Sequence, residues 1–216
     1  GNRTIIGADT LLLSLQNGMG NYEIMQRFAP TEHILLGTTK HNCVAKAPGV
    51  IYHSGAGITH IGSPDGNRAA ADRIAEAFSI CGIEAEACDN VNHLIWEKLF
   101  VNMTINPITA LLGSTIGVIA YDPDVRSAAY TLICEAAAVA AADGEEFDPD
   151  GVFAALMDTA SNLATGKASM CQDIERHRRT EIDFINGAVV RLGKKYGIPT
   201  PAHEMIVRLV HAKEKI

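Results

Sequence analysis

Apolar residues in the first ninety positions come in short groups separated by turn residues, a spacing that suits strands and brief helices. Residues 10–16 (Thr10-Leu11-Leu12-Leu13-Ser14-Leu15-Gln16) form an apolar run that stops at Asn17-Gly18, which reads as a buried strand ending in a loop. The loop Gly18-Met19-Gly20-Asn21 leads into a predicted helix over 22–28. Between His33 and Gly62 the groups Ile34-Leu35-Leu36, Val50-Ile51-Tyr52, and Ile58 with Ile61 are separated by Pro48-Gly49 and Gly55-Ala56-Gly57, so antiparallel strands with tight turns are expected. A helix over 67–81 stopped by Gly82 and a strand over 83–88 complete this part.

Beyond Asp89 the pattern is helical throughout. Asp122-Pro123 and Asp148-Pro149 each offer a carboxylate at the N-cap and proline at the first helical position, and Thr200-Pro201 repeats the device with a hydroxyl. They predict helices over 122–143, 148–165 and 200–214. Ser169-Met170-Cys171-Gln172 fits a capping box, predicting a helix from 169 to about 196, where Gly197-Ile198-Pro199 ends it. The alanine-rich stretch 128–142 reads as core. The fold class expected is therefore mixed α/β, mostly helical, with an α/β part over 1–89 that looks like the end of a nucleotide-binding sheet and an all-α part over 90–216.

Composition narrows the function classes. With 216 residues, 47% of them hydrophobic, the chain can bury one sizeable core or two small ones. A net charge of −7, with no basic run longer than Arg178-Arg179 and Lys194-Lys195, argues against a nucleic-acid partner. The five cysteines are odd in number and form no C-x-x-C pair, which points to a reducing, cytoplasmic setting and away from a disulfide framework or zinc cluster. No charged-then-apolar leader and no uninterrupted apolar run near 18 residues is present, so neither signal peptide nor membrane span is expected. The histidines show no H-E-x-x-H spacing; His53, His60 and His93 read as turn or core residues, and no metal is expected.

The stretch 96–107 carries the strongest candidate chemistry. As a helix it places Lys98, Asn102 and Asn106 one above another at i, i+4 and i+8, a cation and two amides that both donate and accept. A lysine and two asparagines on a helix are also what a solvated stripe looks like. Against that reading, asparagine is a poor helix former, and Asn106 precedes Pro107, where a kink or local end is expected. A second candidate is 169–187. Its first turn suits a carboxylate ligand near Ser169, or Ser169 only caps the helix. Glu181 and Asp183 further on suit either a site or a surface network with Arg176, Arg178 and Arg179. Gly18-x-Gly20 is not a phosphate loop, because Glu23 stands at the third glycine position.

Four ordered motifs carry a resemblance. Leu15-Gln16-Asn17-Gly18-Met19-Gly20-Asn21, then Pro48-Gly49-Val50 with His53 and Gly55-Ala56-Gly57, then Trp96-Glu97-Lys98-Leu99 with Asn102 and Asn106-Pro107, and lastly Ser169-Met170-Cys171-Gln172-Asp173 with Thr180-Glu181-Ile182-Asp183-Phe184-Ile185-Asn186-Gly187 resemble ketopantoate reductase (2-dehydropantoate 2-reductase) over nearly the whole chain. The resemblance implies a Rossmann-type NADPH domain, here 1–89, followed by a helical domain similar to that of 6-phosphogluconate dehydrogenase. It implies Lys98 as the general acid, Asn102, Asn106, Ser169 and Asn17 as substrate-binding residues, and Asn17 and Glu181 as cofactor-binding residues. Reduction of 2-dehydropantoate to pantoate, in pantothenate and coenzyme A synthesis, is the activity it implies.

Two departures stand beside it. The sequence holds no G-x-G-x-x-G, so a truncated chain lacking its pyrophosphate site is expected, a naturally short chain being the other reading. Ile116 stands where many members of the family carry a substrate-contacting Asn, which leaves another small 2-oxo acid open as substrate. A helical dimerisation or interaction module without activity is the alternative of a different class. Self-association, as a homodimer, is expected from an open sheet edge.

Overall fold

The computed structural model describes residues 3–216. It divides into two compact units: Gly20–Ile95 with the stretch before Asn17, and Trp96–Ile216 with Asn17–Met19.

In the first unit, β1 (Leu12–Ser14), β2 (Ile34–Thr39), β5 (Thr59–Gly62) and β6 (Ala85–Ala87) form a sheet in the order β1-β2-β5-β6. β2 is apolar in its first half and buried almost throughout, as a central strand covered on both faces must be. It pairs parallel to β1 and antiparallel to β5, which pairs parallel to β6. The chain passes so close at Gly37 that a Cβ there would lie 2.5 Å from the His60 carbonyl oxygen of β5. β3 (Asn42–Ala47) and β4 (Val50–Gly55) make a separate antiparallel hairpin, turned by Pro48 and by Gly49 at φ 77°. α1 (Asn21–Met25) is short, and α2 (Arg68–Ile80) is capped by Asn67, whose side chain accepts from Ala70 N at 3.2 Å. α2 buries Ala70 and Ala71 in a small core with Leu35 and Ile61. The strands and helices expected from spacing in this part are present, with boundaries trimmed by a few residues.

α3 (Val91–Leu112) leaves the first unit at Ile95, and the rest of it runs through the second. The second unit continues with α4 (Gly117–Tyr121), α5 (Pro123–Ala142), α6 (Pro149–Asn162), α7 (Ser169–Glu175), α8 (Asn186–Tyr196) and α9 (Pro201–Lys213). Its core gathers Trp96, Leu99, Phe100 and Met103 of α3 with Leu132 and Ile133 of α5, Leu156 of α6 and Val210 of α9, each at most 2% exposed. Burying each of these large side chains stabilises by about 1.5–3 kcal/mol. α5 is long and apolar enough, by length and composition, to cross a membrane. Its buried residues Ala129, Ala136, Ala137 and Ala140 instead let neighbouring helices approach closely within this core. The Asp-Pro caps form as expected: Asp122 accepts from Asp124 N and Val125 N, and Asp148 from Asp150 N and Gly151 N.

Four local expectations are corrected. Ser169 does not cap; Ala168 occupies the N-cap, Ser169 is the first helical residue, and Gln172 turns its amide back to the Lys167 carbonyl at 3.1 Å. The helix expected to reach 196 stops at Glu175. Arg178 N bonds to Asp173 O at 2.8 Å, His177 takes a left-handed φ of 51°, and Thr180 is drawn to Glu214. Thr200 makes no side-chain cap bond on α9; the Glu135 carboxylate of α5 accepts from Ala202 N and His203 N instead, at 2.9 and 3.2 Å. Pro107 neither ends α3 nor sets a boundary, for the helix continues through it to Leu112.

Candidate functional site

α3 places Lys98, Asn102 and Asn106 on successive turns, as the spacing requires. Lys98 and Asn102 are half-buried, and Asn106 is only 6% exposed, so the ladder is no solvated stripe. The start of this segment is fixed by Trp96, which is fully buried and donates from Nε1 to Asp143 Oδ2 at 3.2 Å. Tyr196 donates to the other oxygen of the same carboxylate at 2.6 Å, tying the end of α8 to the end of α5. Lys98 therefore projects from a turn held rigidly by core packing.

The remaining candidates come from far away in the chain. Glu181 lies in a short helical turn after α7, where Phe184 N and Ile185 N donate to its carbonyl. That turn is anchored by Thr180, whose N and Oγ1 both donate to Glu214 Oε1, at 2.8 and 2.7 Å. Asn17 Nδ2 donates to Glu181 Oε2 at 3.1 Å, a bond across 164 positions. Gly18, at φ 82°, lies flat on Phe184, where any Cβ would fall 2.1 Å from its carbonyl oxygen. Met19 N donates to the same oxygen at 2.8 Å, and Arg191 of α8 grips both sides of the joint, bonding Met19 O at 3.1 Å and Asp183 O at 2.5 Å. Asn17, Gly18 and Met19 are thus docked on the turn that carries Glu181.

The charges respond to this arrangement. Burial pushes the Lys98 ammonium below its ordinary pKa, and the Glu181 carboxylate pulls it partly back up. Lys98, Glu181 and Asn17 are therefore one electrostatic group. Glu181 and Asp183, two residues apart, divide their tasks: Asp183 pairs with Arg179 and His211 at 2.9 and 3.0 Å, the surface network expected of it, whereas Glu181 faces Asn17.

Ser169 comes from another stretch, the start of α7. It is exposed at the head of α7, and among the described residues no hydrogen bond links it to Lys98, Asn102 or Asn106. Ile116 is 8% exposed, packs in the helical core and donates its N–H to Gly166 O at 2.9 Å, so its side chain is committed to packing. Two contributors escape a reading of the sequence, Arg191 and the flat packing of Gly18. Both act on partners more than 160 positions away, and only the glycine, beside a turn, leaves a local signal.

Comparison with known proteins agrees with the motif reading. Residues 90–214 match the family described as Ketopantoate reductase PanE/ApbA C terminal, and residues 2–66 match Ketopantoate reductase PanE/ApbA. The 2-dehydropantoate 2-reductase of Streptococcus pyogenes serotype M3 is 37% identical over 214 residues, covering 98% of this chain and 70% of that protein. Among solved structures, D-mandelate dehydrogenase with NADH and anilino(oxo)acetate superposes with a TM-score of 0.93 at 35% identity, covering 99% of this chain and 70% of the other. A PanE/ApbA family ketopantoate reductase from Ralstonia eutropha JMP134 does so at 0.88 and 28% identity, with 99% and 70% covered. The relatives bear the names of reductases and dehydrogenases, a class of oxidoreductases. The chain belongs to the ketopantoate reductase family.

Proposed function

We propose that this protein reduces a small 2-oxo acid to the 2-hydroxy acid, with 2-dehydropantoate as the substrate and NADPH as the reductant, and with Lys98 as the proton donor. The observation that carries this reading is the half-buried Lys98 ammonium on α3, one helical turn before Asn102 and two before the buried Asn106, with burial lowering its pKa and the Glu181 carboxylate raising it electrostatically. A proton donor works best when its pKa is brought toward the working pH, and burial moves lysine in that direction.

Asn17 and Glu181 would hold the nicotinamide end of the cofactor. They fit such a group, because a bonded amide and carboxylate half-buried beside a cation suit a polar ring substituent. The sequence supplies no G-x-G-x-x-G for the pyrophosphate, and no step here depends on one. When bound, the reduced nicotinamide supplies hydride to C2 of the substrate. Lys98 Nζ gives a proton to the former carbonyl oxygen as negative charge builds on it, and recovers one from solvent afterwards. Asn102 and Asn106, one and two turns on, orient the substrate's oxygens so that C2 and its oxygen meet their partners together. Ser169, at the head of α7, is assigned the substrate carboxylate.

D-Mandelate dehydrogenase, with its aromatic substrate and NADH, supports a second reading at the level of specificity, a bulkier 2-oxo acid reduced with NADH. Steady-state rates with 2-dehydropantoate, benzoylformate and pyruvate, each with NADPH and with NADH, separate the two. The highest kcat/KM is expected for 2-dehydropantoate with NADPH. Turnover confined to benzoylformate with NADH would replace the substrate and cofactor assignment, and no turnover of any 2-oxo acid would overturn the function.

A further inference from the structure

Pro107 lies inside α3 and has no N–H, so it cannot donate to the carbonyl of Met103 four residues back. Met103 is fully buried, and in that position water cannot take the missing place. The vacancy is filled from another helix: Asn186, the first residue of α8 and itself fully buried, donates from Nδ2 to Met103 O at 2.9 Å. His203 of α9 then fixes which way that amide faces. Its Nε2 lies 3.0 Å from the Leu132 carbonyl oxygen, which can only accept, so Nε2 carries the ring proton and Nδ1 is an acceptor. Nδ1 lies 3.2 Å from Asn186 Nδ2 and takes the amide's second hydrogen. The orientation leaves Asn186 Oδ1 buried with no hydrogen-bond partner, but turning the amide over would set that oxygen against two acceptors, Met103 O and His203 Nδ1, and lose both donor contacts.

We infer that Asn186, oriented by His203, is a positioning residue for the α3 ladder, substituting its side-chain amide for the backbone donor that Pro107 removes and so keeping Lys98 and Asn102 aligned with the turns beyond the proline. The inference rests on the proposed role of Lys98. Burial holds His203 below its ordinary pKa, which keeps the ring neutral and Nδ1 able to accept.

Geometry shows why alignment matters. Interior prolines ordinarily kink a helix, and Lys98 is nine residues before this one. At about 1.5 Å per residue that is about 13 Å of lever, so a kink of about 20° would carry Lys98 about 5 Å sideways relative to the turn after Pro107. A misplacement of about 1 Å at a reacting group can already cost about 100-fold in rate.

The test is a double-mutant cycle in the intact protein with Asn186→Ala, Pro107→Ala and both together, read by kcat and KM and by titrating the Lys98 amine through its 13Cε chemical shift. Asn186→Ala is expected to lower kcat by about 10- to 100-fold with a smaller change in KM, and to move the Lys98 pKa back toward its ordinary value. Pro107→Ala, which restores the backbone donor, should be nearly silent alone and should recover both readouts in the Asn186→Ala background. Should Asn186→Ala fail to fold, Asn186→Gln, whose extra methylene moves the amide off Met103 O, carries the same readouts. A folded Asn186 variant with unchanged kcat and unchanged Lys98 pKa overturns the inference, as does a double mutant that recovers neither. If the wild type turns over no 2-oxo acid, the proposed function fails, and the Lys98 titration alone still decides whether Asn186 positions that residue.

Discussion

α3 and α5 are long helices of 22 and 20 residues that pack into one core, yet they are stabilised in opposite ways. α5 is closed by its own neighbour, Asp122, starts on a proline that its first turn tolerates, and buries small alanines against adjoining helices. α3 has its proline in the interior, its threonines 104 and 109 bonding back to carbonyls of the preceding turn, and a lysine and an asparagine half-buried with a second asparagine buried. The polar groups at the start of α5 are satisfied from within its own neighbourhood of sequence. What α3 lacks is supplied from far along the chain, a donor for Met103 O by Asn186 and a charge near Lys98 by Glu181. Departures from good helix-making that are repaired from a distance are the ones expected where chemistry takes place.

The contrast breaks most sharply at Lys98. If Lys98 is the proton donor proposed above, Lys98→Ala should lower kcat by about 10²–10⁴ with a smaller change in affinity for the nicotinamide cofactor, and Lys98→Arg should not restore it, because a planar guanidinium does not reproduce a compact ammonium. Steady-state kinetics showing near-full kcat for Lys98→Ala would reduce α3 to the same scaffold role as α5. On α5 the converse is expected. Ala136→Leu, at a position with no exposed surface, should overpack the core by about 1–3 kcal/mol and lower Tm, while kcat measured well below Tm stays within about two-fold.

Smaller effects separate the helix starts. Asp122→Ala should cost about 1 kcal/mol in urea unfolding through loss of two capping bonds, whereas Thr200→Val should cost less, because that hydroxyl caps nothing and Glu135 does its work. The smallest shift is electrostatic. With Lys98 as the proposed proton donor, kcat/KM should fall as pH rises through its lowered pKa. Glu181→Gln removes the charge that raises that pKa, and should move this basic limb to lower pH. A limb that moves upward, or stays in place, would separate Glu181 from Lys98.

How far the sequence could be read follows the same division. Asp122-Pro123 and Asp148-Pro149 act within three residues, and both caps were legible because their causes are local. The ladder Lys98, Asn102, Asn106 was legible because helical spacing alone defines it. Ser169 and Thr200 carry the right residues for caps and do not cap, since Glu135, 67 positions from Ala202, was already in place for the second and the backbone entered one residue early for the first. Nothing local announces the break after Glu175, whose cause includes Glu214, 34 positions from Thr180. Pro107 looked like a boundary because its repair, Asn186, lies 83 positions from Met103.

The short stretch Asn17–Met19 belongs to the helical unit, although the residues on both sides of it belong to the other. The helical unit is therefore not a single continuous piece of polypeptide. It cannot be excised, transplanted or fused as one cassette beginning at Trp96 without losing Asn17 from Glu181 and the docked backbone from Phe184 and Arg191. Recombination between relatives at that junction would join a Glu181 from one parent to an Asn17 loop from another. The loop and the turn it docks on thus have to change together, and exchange at this point is open only to parents whose two pieces already match.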